Sequence, residues 1–270
     1  MGAAGVDGRV FVLGGWDGAQ AVASVEVFDP QTGEWQPRAP MPTPRLGFGT
    51  AVLGGLIYTI GGQTGMLNTT ETTIVEVYDP ATDTWSTRAP LPAARSFLGA
   101  ASVGGMVYAV GGQAAGWQIP SVEMYDPGTN AWSTRSPMSI PRAEFGLITV
   151  GAKLYAMGGI TGNAPWVLST LEEYDPTLDS WTARSPMPTA RFGLGVGAVG
   201  ARFFVIGGAY DMNIAEAYDP GTNSWTTELP MPTPRKNLGV ATAGGQLYAI
   251  GGANTTFSVP ILDVVEKFVP

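Results

Sequence analysis

VEVYDPATDTWSTRAPLPAARSFLGAASVGGMVYAVGG, residues 75–112, is the stretch that decides the fold. It holds an aromatic-Asp-Pro corner, a Trp, a Pro-containing step ending in Arg, and an apolar run closed by Gly-Gly. Diverged copies recur along the chain. Their doublets are Gly14-Gly15, Gly61-Gly62, Gly111-Gly112, Gly158-Gly159, Gly207-Gly208 and Gly251-Gly252, spaced 44 to 50 residues apart. A repeat of that length built from short strands is the signature of a propeller blade.

The spacings inside the repeat are tighter than the motif. The aromatic precedes the Trp by seven residues in the pairs Phe28–Trp35, Tyr78–Trp85, Tyr125–Trp132, Tyr174–Trp181 and Tyr218–Trp225. The next Arg follows that Trp by ten residues (Arg45, Arg95, Arg142, Arg191, Arg235), and the next Gly-Gly follows that Arg by sixteen. Only the step from Gly-Gly to the aromatic varies, from 11 to 17. One rigid frame therefore carries one variable loop per repeat. Within a repeat, Gly99–Val103 reads as a first strand, Gly104-Gly105 as a two-residue hairpin turn and Met106–Val110 as a second strand. Val122–Tyr125 reads as a third strand and Trp132–Arg135 as part of a fourth. The prediction is an all-β, six-bladed β-propeller with four-stranded antiparallel blades near residues 2–38, 48–88, 98–135, 145–184, 194–228 and 238–268. Residues 264–270, VVEKFVP, align with VEVYDP and no Trp segment follows, so the sixth blade is expected to have three strands. Blade one appears with its own first strand, Ala3–Val6, so closure is expected to rest on packing of blade one against blade six.

Composition narrows the function classes. The chain has 270 residues, 44% of them apolar, enough for one closed domain spanning residues 1–270. Net charge is −8 and Lys occurs three times, so no basic patch points to nucleic acid or an anionic membrane. No run of eighteen apolar residues suggests a transmembrane helix, and no secretory signal is expected before the first strand. The chain contains no Cys and no His. That removes thiol nucleophiles, disulfides and the commonest general base and transition-metal ligand; no cofactor is expected. Gly-Gly without a following Gly-Lys-Ser/Thr is not a phosphate-binding loop. Asn68-Thr69-Thr70 and Asn254-Thr255-Thr256 match glycosylation sequons, a short pattern that arises easily by chance.

The Gly-Gly after an apolar strand, the Tyr and Trp at fixed separation, and the Pro-Arg step together resemble kelch repeats across essentially the whole chain. That resemblance implies one four-stranded blade per repeat, the first strand innermost. It departs from the family in lacking a sixth outer strand.

Two charged sets repeat with the frame. Glu26, Glu76, Glu123, Glu172, Glu216 and Glu266 each stand two residues before the aromatic, on strands expected to be half-buried. Arg45, Arg95, Arg142, Arg191 and Arg235 recur as regularly. A group repeated in every blade is a structural device, with Arg bridging carboxylates or backbone carbonyls. The regular Trp and Tyr/Phe sets read as blade packing.

Function is then expected where the repeats differ. After the doublets and along the variable loops stand Trp16, Asp17, Gln63, Gln113, Trp117, Trp166, Tyr210, Asp211 and Phe257. Just after the repeated Arg stand Ser96, Glu144, Phe192, Lys236 and Asn237. In kelch substrate adaptors, which this chain resembles, such positions line the ligand-binding end of the ring. The leading reading is a non-catalytic module, monomeric, binding a peptide, protein or glycan there. A second is a carbohydrate-active enzyme similar to sialic-acid mutarotases, working through carboxylates. The copper site of galactose oxidase and the iron site of nitrile specifiers, which resemble this fold, need His or Cys. A third reading is an excised or engineered scaffold without a ligand, suggested by the abrupt ends.

Overall fold

A computed structural model describes residues 1–65, 70–210, 212–254 and 261–268. It is all-β, with no helix among the described residues, and forms a six-bladed propeller. Blade three has the strands Gly99–Val103, Met106–Val110, Val122–Asp126 and Ala131–Arg135, each hydrogen-bonded antiparallel to the next. Blades one, two, four and five repeat this order. Blade six has three strands, Gly239–Ala243, Gln246–Ile250 and Val265–Phe268. Gly104 and Gly105 both have positive φ, as the tight hairpin turn between two right-twisted strands requires.

The fixed spacings are bonds. Seven residues separate Tyr125 from Trp132 because the two lie directly opposite across the third and fourth strands. Their ring centroids are 5.2 Å apart. The sixteen residues from Arg to Gly-Gly are the reach of one hydrogen bond: Arg142 Nη1 donates to Gly158 O at 2.9 Å, and Arg45 Nη1 donates to Gly61 O at 2.7 Å. The ten residues from Trp to Arg carry the chain from one blade to the next, and the next blade's Trp holds that step. Trp132 Nε1 donates to Ala89 O, and Trp181 Nε1 donates to Ser136 O, both at 2.9 Å.

Each Arg is fully buried and clasps two blades. Its carbonyl accepts from the second Gly of the blade behind it; Gly112 N donates to Arg142 O at 2.9 Å. Its guanidinium reaches forward to the Glu of the next blade. The ion pairs are Arg45–Glu76 at 2.7 Å, Arg95–Glu123 at 2.6 Å, Arg142–Glu172 at 2.7 Å, Arg235–Glu266 at 2.9 Å, and Arg191–Glu216. Burial holds the pKa of Arg45, Arg142, Arg191 and Arg235 below the usual range, and the Glu partner opposes that shift. Glu26 departs from the expectation: it is exposed and makes no ion pair among the described residues. The reason is topological. Its Arg would come from a segment after a fourth strand in blade six, and blade six has three strands.

A separate apolar cluster fills every interface between blades, and a Met or Leu from the connecting step plugs five of them: Met41, Leu91, Met138, Met187 and Met231. The seam between blades six and one receives no such residue from a connecting step among the described residues; there a Cβ on Gly251 would lie 2.6 Å from Met1 Cε. Its cluster has five buried residues (Val10, Ala241, Ala243, Tyr248, Ile250), against eight to eleven elsewhere. Closure rests on face packing, as the sequence led one to expect. The first strands approach so closely that a Cβ on Gly5 would lie 1.9 Å from Thr242 O.

Two outcomes follow for stability. Arg142→Ala strands Glu172 in the interior and should cost about 3–5 kcal/mol in urea unfolding. The second concerns the corners: Tyr78 and Tyr174 donate to Asp83 and Asp179 Oδ1 at 2.5 and 2.6 Å, while Tyr125 and Tyr218 donate to Asn130 and Asn223. The Tyr hydroxyl holds each Asp below the ordinary carboxylate range, with a backbone N–H adding to it. A lowered folded pKa gives stability that is present above the unfolded pKa and lost as pH falls through the folded one. The double variant Asp83→Asn, Asp179→Asn copies the chain's own amide corners. Its melting temperature should fall less steeply than the parent's on acidification below the ordinary carboxylate range.

Candidate functional site

The variable loops and the turns that follow each Arg emerge at one end of the ring, around the central channel. The residue two after each Arg adopts a left-handed backbone: Gly47, Phe97, Glu144, Gly193 and Asn237, with φ between 52° and 61°. These five are joined head to tail. Phe97 N donates to Gly47 O, Glu144 N to Phe97 O, Gly193 N to Glu144 O, and Asn237 N to Gly193 O, at 2.5 to 3.1 Å. A non-glycine residue in this region is strained, and here the ring of peptide bonds holds it. The next residue in each copy turns inward, making an apolar collar of Phe48, Leu98, Phe145, Leu194 and Leu238, all buried. Below the collar, the first strands open their glycines to the neighbouring blade, as at Gly99 and Gly146.

Above the collar is a cavity of about 250 Å³, lined by Trp16, Gly47, Phe97, Glu144, Asn237 and Ile261 among others. Its chemistry is apolar with a few polar groups, the usual make-up of a small-ligand cleft. Glu144 is the acidic residue lining it. Burial pushes its carboxyl above the ordinary range, and Lys236 partly opposes this.

Three of the residues singled out from the sequence meet at this cavity: Trp16, Glu144 and Asn237. Gln63, Gln113 and Lys236 stand beside it in the turns, where main-chain bridges Leu46–Gln63, Ser96–Gln113 and Lys236–Ala253 fasten them, and Phe192 O accepts from Ala209 N at 2.7 Å. Ser96 is fully buried and does not line the cavity. Asp17 serves its own loop, its Oδ1 accepting from Ala19 N and Gln20 N at 2.8 Å. Trp117, Trp166 and Tyr210 stand out on the loops of three consecutive blades, 72%, 64% and 74% exposed, and so form a rim rather than a core. A small hairpin, Gln113–Ala114 with Trp117–Gln118, presents Trp117. Tyr210 packs edge-on against Phe192, centroids 6.2 Å apart. Asp211 and Phe257 lie outside the described residues. Among the described residues, no three of His, Cys, Asp or Glu gather as metal ligands.

Sequence reasoning missed Phe97, Gly47 and Gly193, and it missed the collar. A signal was present, since position three after the Arg is Phe or Leu in all five copies.

Fold and site together define a propeller with a pocketed loop face. Comparison with known proteins identifies the kind. The kelch motif matches residues 1–42, 44–92, 94–139 and 141–188, more than half of the chain, and the chain belongs to the kelch-repeat family. Over 65 residues, 24% of this chain, it is 40% identical to the mouse (Mus musculus) influenza virus NS1A-binding protein homolog and 38% identical to the human (Homo sapiens) influenza virus NS1A-binding protein. The match spans 10% of the length of either relative. The solved structure of YjhT superposes with a TM-score of 0.81 at 16% identity, covering 97% of this chain and 93% of that one, a likeness of fold.

A folded pKa raised above the unfolded value makes an ionised carboxylate a cost, one absent when both states are protonated. Glu144→Gln should therefore raise the melting temperature at about pH 7 and leave it nearly unchanged at about pH 3, where the unfolded carboxyl is protonated too.

Proposed function

We propose that the chain is a non-catalytic interaction module that holds a protein or peptide segment on its loop face. The observation that carries this is the arc of exposed Trp117, Trp166 and Tyr210 on three consecutive loops beside an apolar cavity. Rigid aromatics give contact area at modest entropy cost, and amides such as Gln63, Gln113 and Asn237 can adapt their hydrogen bonds. The kelch family and relatives named for binding a viral protein support protein recognition as the class. In this reading Trp117, Trp166 and Tyr210 are anchors, and Glu144, Lys236 and Asn237 select the segment that enters the cavity. A glycan is the other ligand class that an aromatic rim suits.

A second reading, a carbohydrate-active enzyme, rests on Glu144 alone: a carboxyl with a raised pKa in a cavity is suited to proton transfer. The two separate cleanly. A peptide and glycan array on the purified chain supplies a ligand. Trp166→Ala should then weaken its binding by about 1–2 kcal/mol with an unchanged melting temperature. Unchanged affinity, with turnover of a sugar abolished by Glu144→Gln, would replace the first reading with the second.

A further inference from the structure

We propose that the mouth of the channel carries a cation subsite, in which Glu144 receives the guanidinium of an Arg side chain from the segment held on the loop face. The inference rests on the reading of that face as a recognition surface and adds the chemistry of what enters it. Glu144 is the third of the five joints in the head-to-tail ring, so it stands across the ring from the blades that hold the first and last residues. Its flanks are Phe97 and Gly193, both from interior repeats, which it meets through the ring's own hydrogen bonds.

The seat of Glu144 is fixed and its side chain is left open. Its N–H donates to Phe97 O at 3.1 Å and its carbonyl accepts from Gly193 N at 2.8 Å, so the main chain holds the residue at the cavity wall. Elsewhere in the ring a side chain lies over the preceding joint. A Cβ on Gly47 would lie 3.1 Å from the Phe97 ring, and one on Gly193 would lie 2.5 Å from Asn237 Oδ1. Gly193 has no side chain to lay over Glu144, so this joint stays uncovered. Among the described residues the Glu144 carboxylate receives no hydrogen bond and joins no salt bridge, whereas Glu76, Glu123, Glu172 and Glu216 each hold an Arg. Asn237 lines the same cavity, and its side-chain amide likewise has no hydrogen bond among the described residues. Two acceptors therefore face one cavity with their capacity unused.

Size, walls and charge select the guanidinium. At about 250 Å³ the cavity falls below the about 300–1,000 Å³ of a site for a whole small molecule, and it suits one inserted side chain. Phe97 and Phe145 supply aromatic walls. A guanidinium stacks on such faces and is weakly hydrated, while an ammonium gives up more water to enter. Its planar fork of donors can serve a carboxylate and an amide oxygen together. The same combination already exists below the mouth, where the Arg45 guanidinium pairs with Glu76 while lying 5.6 Å from the Phe48 ring centroid. The approach is acidic as well. The variable loops and the turns after each Arg carry Asp17, Glu71, Asp211 and Asp263 besides Glu144, against Lys236 as their cation. A field of that sign draws a cation toward the mouth. Lys236 partly offsets the desolvation of Glu144 without reaching salt-bridge distance, so the carboxylate keeps room for a closer partner.

The probe is n-butylguanidinium, titrated into the intact chain and followed by the NMR shifts of backbone amides. It should bind saturably and move the amides of Phe97, Glu144, Gly193 and Asn237. Glu144→Gln keeps the side chain's shape and should weaken binding at least about tenfold. Lys236→Met removes a competing cation and should tighten binding about two- to fivefold. n-Butylammonium should bind more weakly, and neither n-pentanol nor butyrate should compete. Equal affinity for Glu144→Gln, competition by n-pentanol, tighter binding of n-butylammonium, or shifts confined to Asp17, Glu71 or Asp263 would overturn the proposal. The peptide array decides the wider reading separately. Peptides that bind and keep their affinity when every Arg is replaced by citrulline would remove the cation subsite and leave the interaction module standing. Binding of n-butylguanidinium at Glu144 with no peptide bound would do the reverse.

Discussion

A buried guanidinium organises this molecule. An Arg removed from water is costly unless its charge and its donors are met, and each of the five meets a carboxylate on the next blade. Nη1 of Arg45, for example, also serves two main-chain carbonyls, Gly61 and Ile74. The clasp therefore fixes three pieces of chain at once: the step that carries the Arg, the end of the second strand and the start of the third. A one-residue insertion between the Arg and the end of the second strand would move the guanidinium off that strand's carbonyl. The loop between the second and third strands bulges outward from two anchored ends, so it varies from repeat to repeat while the rest of the frame keeps constant spacing.

The same logic explains what could be read from sequence. A constant separation in a repeat is a geometric requirement written in residue numbers, so the strands, the blade count and the roles of the Arg set were legible. Which Glu each Arg meets was not, because that choice is made between blades and depends on the ring's handedness and closure. Glu26 looked like its five counterparts and stands apart only because its neighbour across the seam has no fourth strand. Loop residues were legible only as belonging to one end. Whether Trp117 would stand outward or Ser96 would turn inward depends on main-chain bridges such as Ser96–Gln113, which no periodicity announces.

Stability and recognition are divided between two sets of residues. The frame buries its charges in pairs. Among the described residues lining the cavity, the acidic one is Glu144, half-buried, with Lys236 opposing its desolvation. Such a group weakens the fold, and it stands where a ligand could compensate it. The exposed aromatics of the rim make a similar exchange, since each leaves apolar surface in water.

The head-to-tail chain of left-handed residues at the mouth has one mechanical consequence. Four bonds join five blade junctions, and among the described residues none spans from Asn237 back to Gly47. A closed hoop of that kind would have a fixed diameter, because widening it would stretch every link. A split hoop widens or narrows by turning slightly at each joint, and the displacement collects at the gap. The aperture of the channel is thus coupled to the spacing of blades six and one, so whatever grips the split also sets the bore.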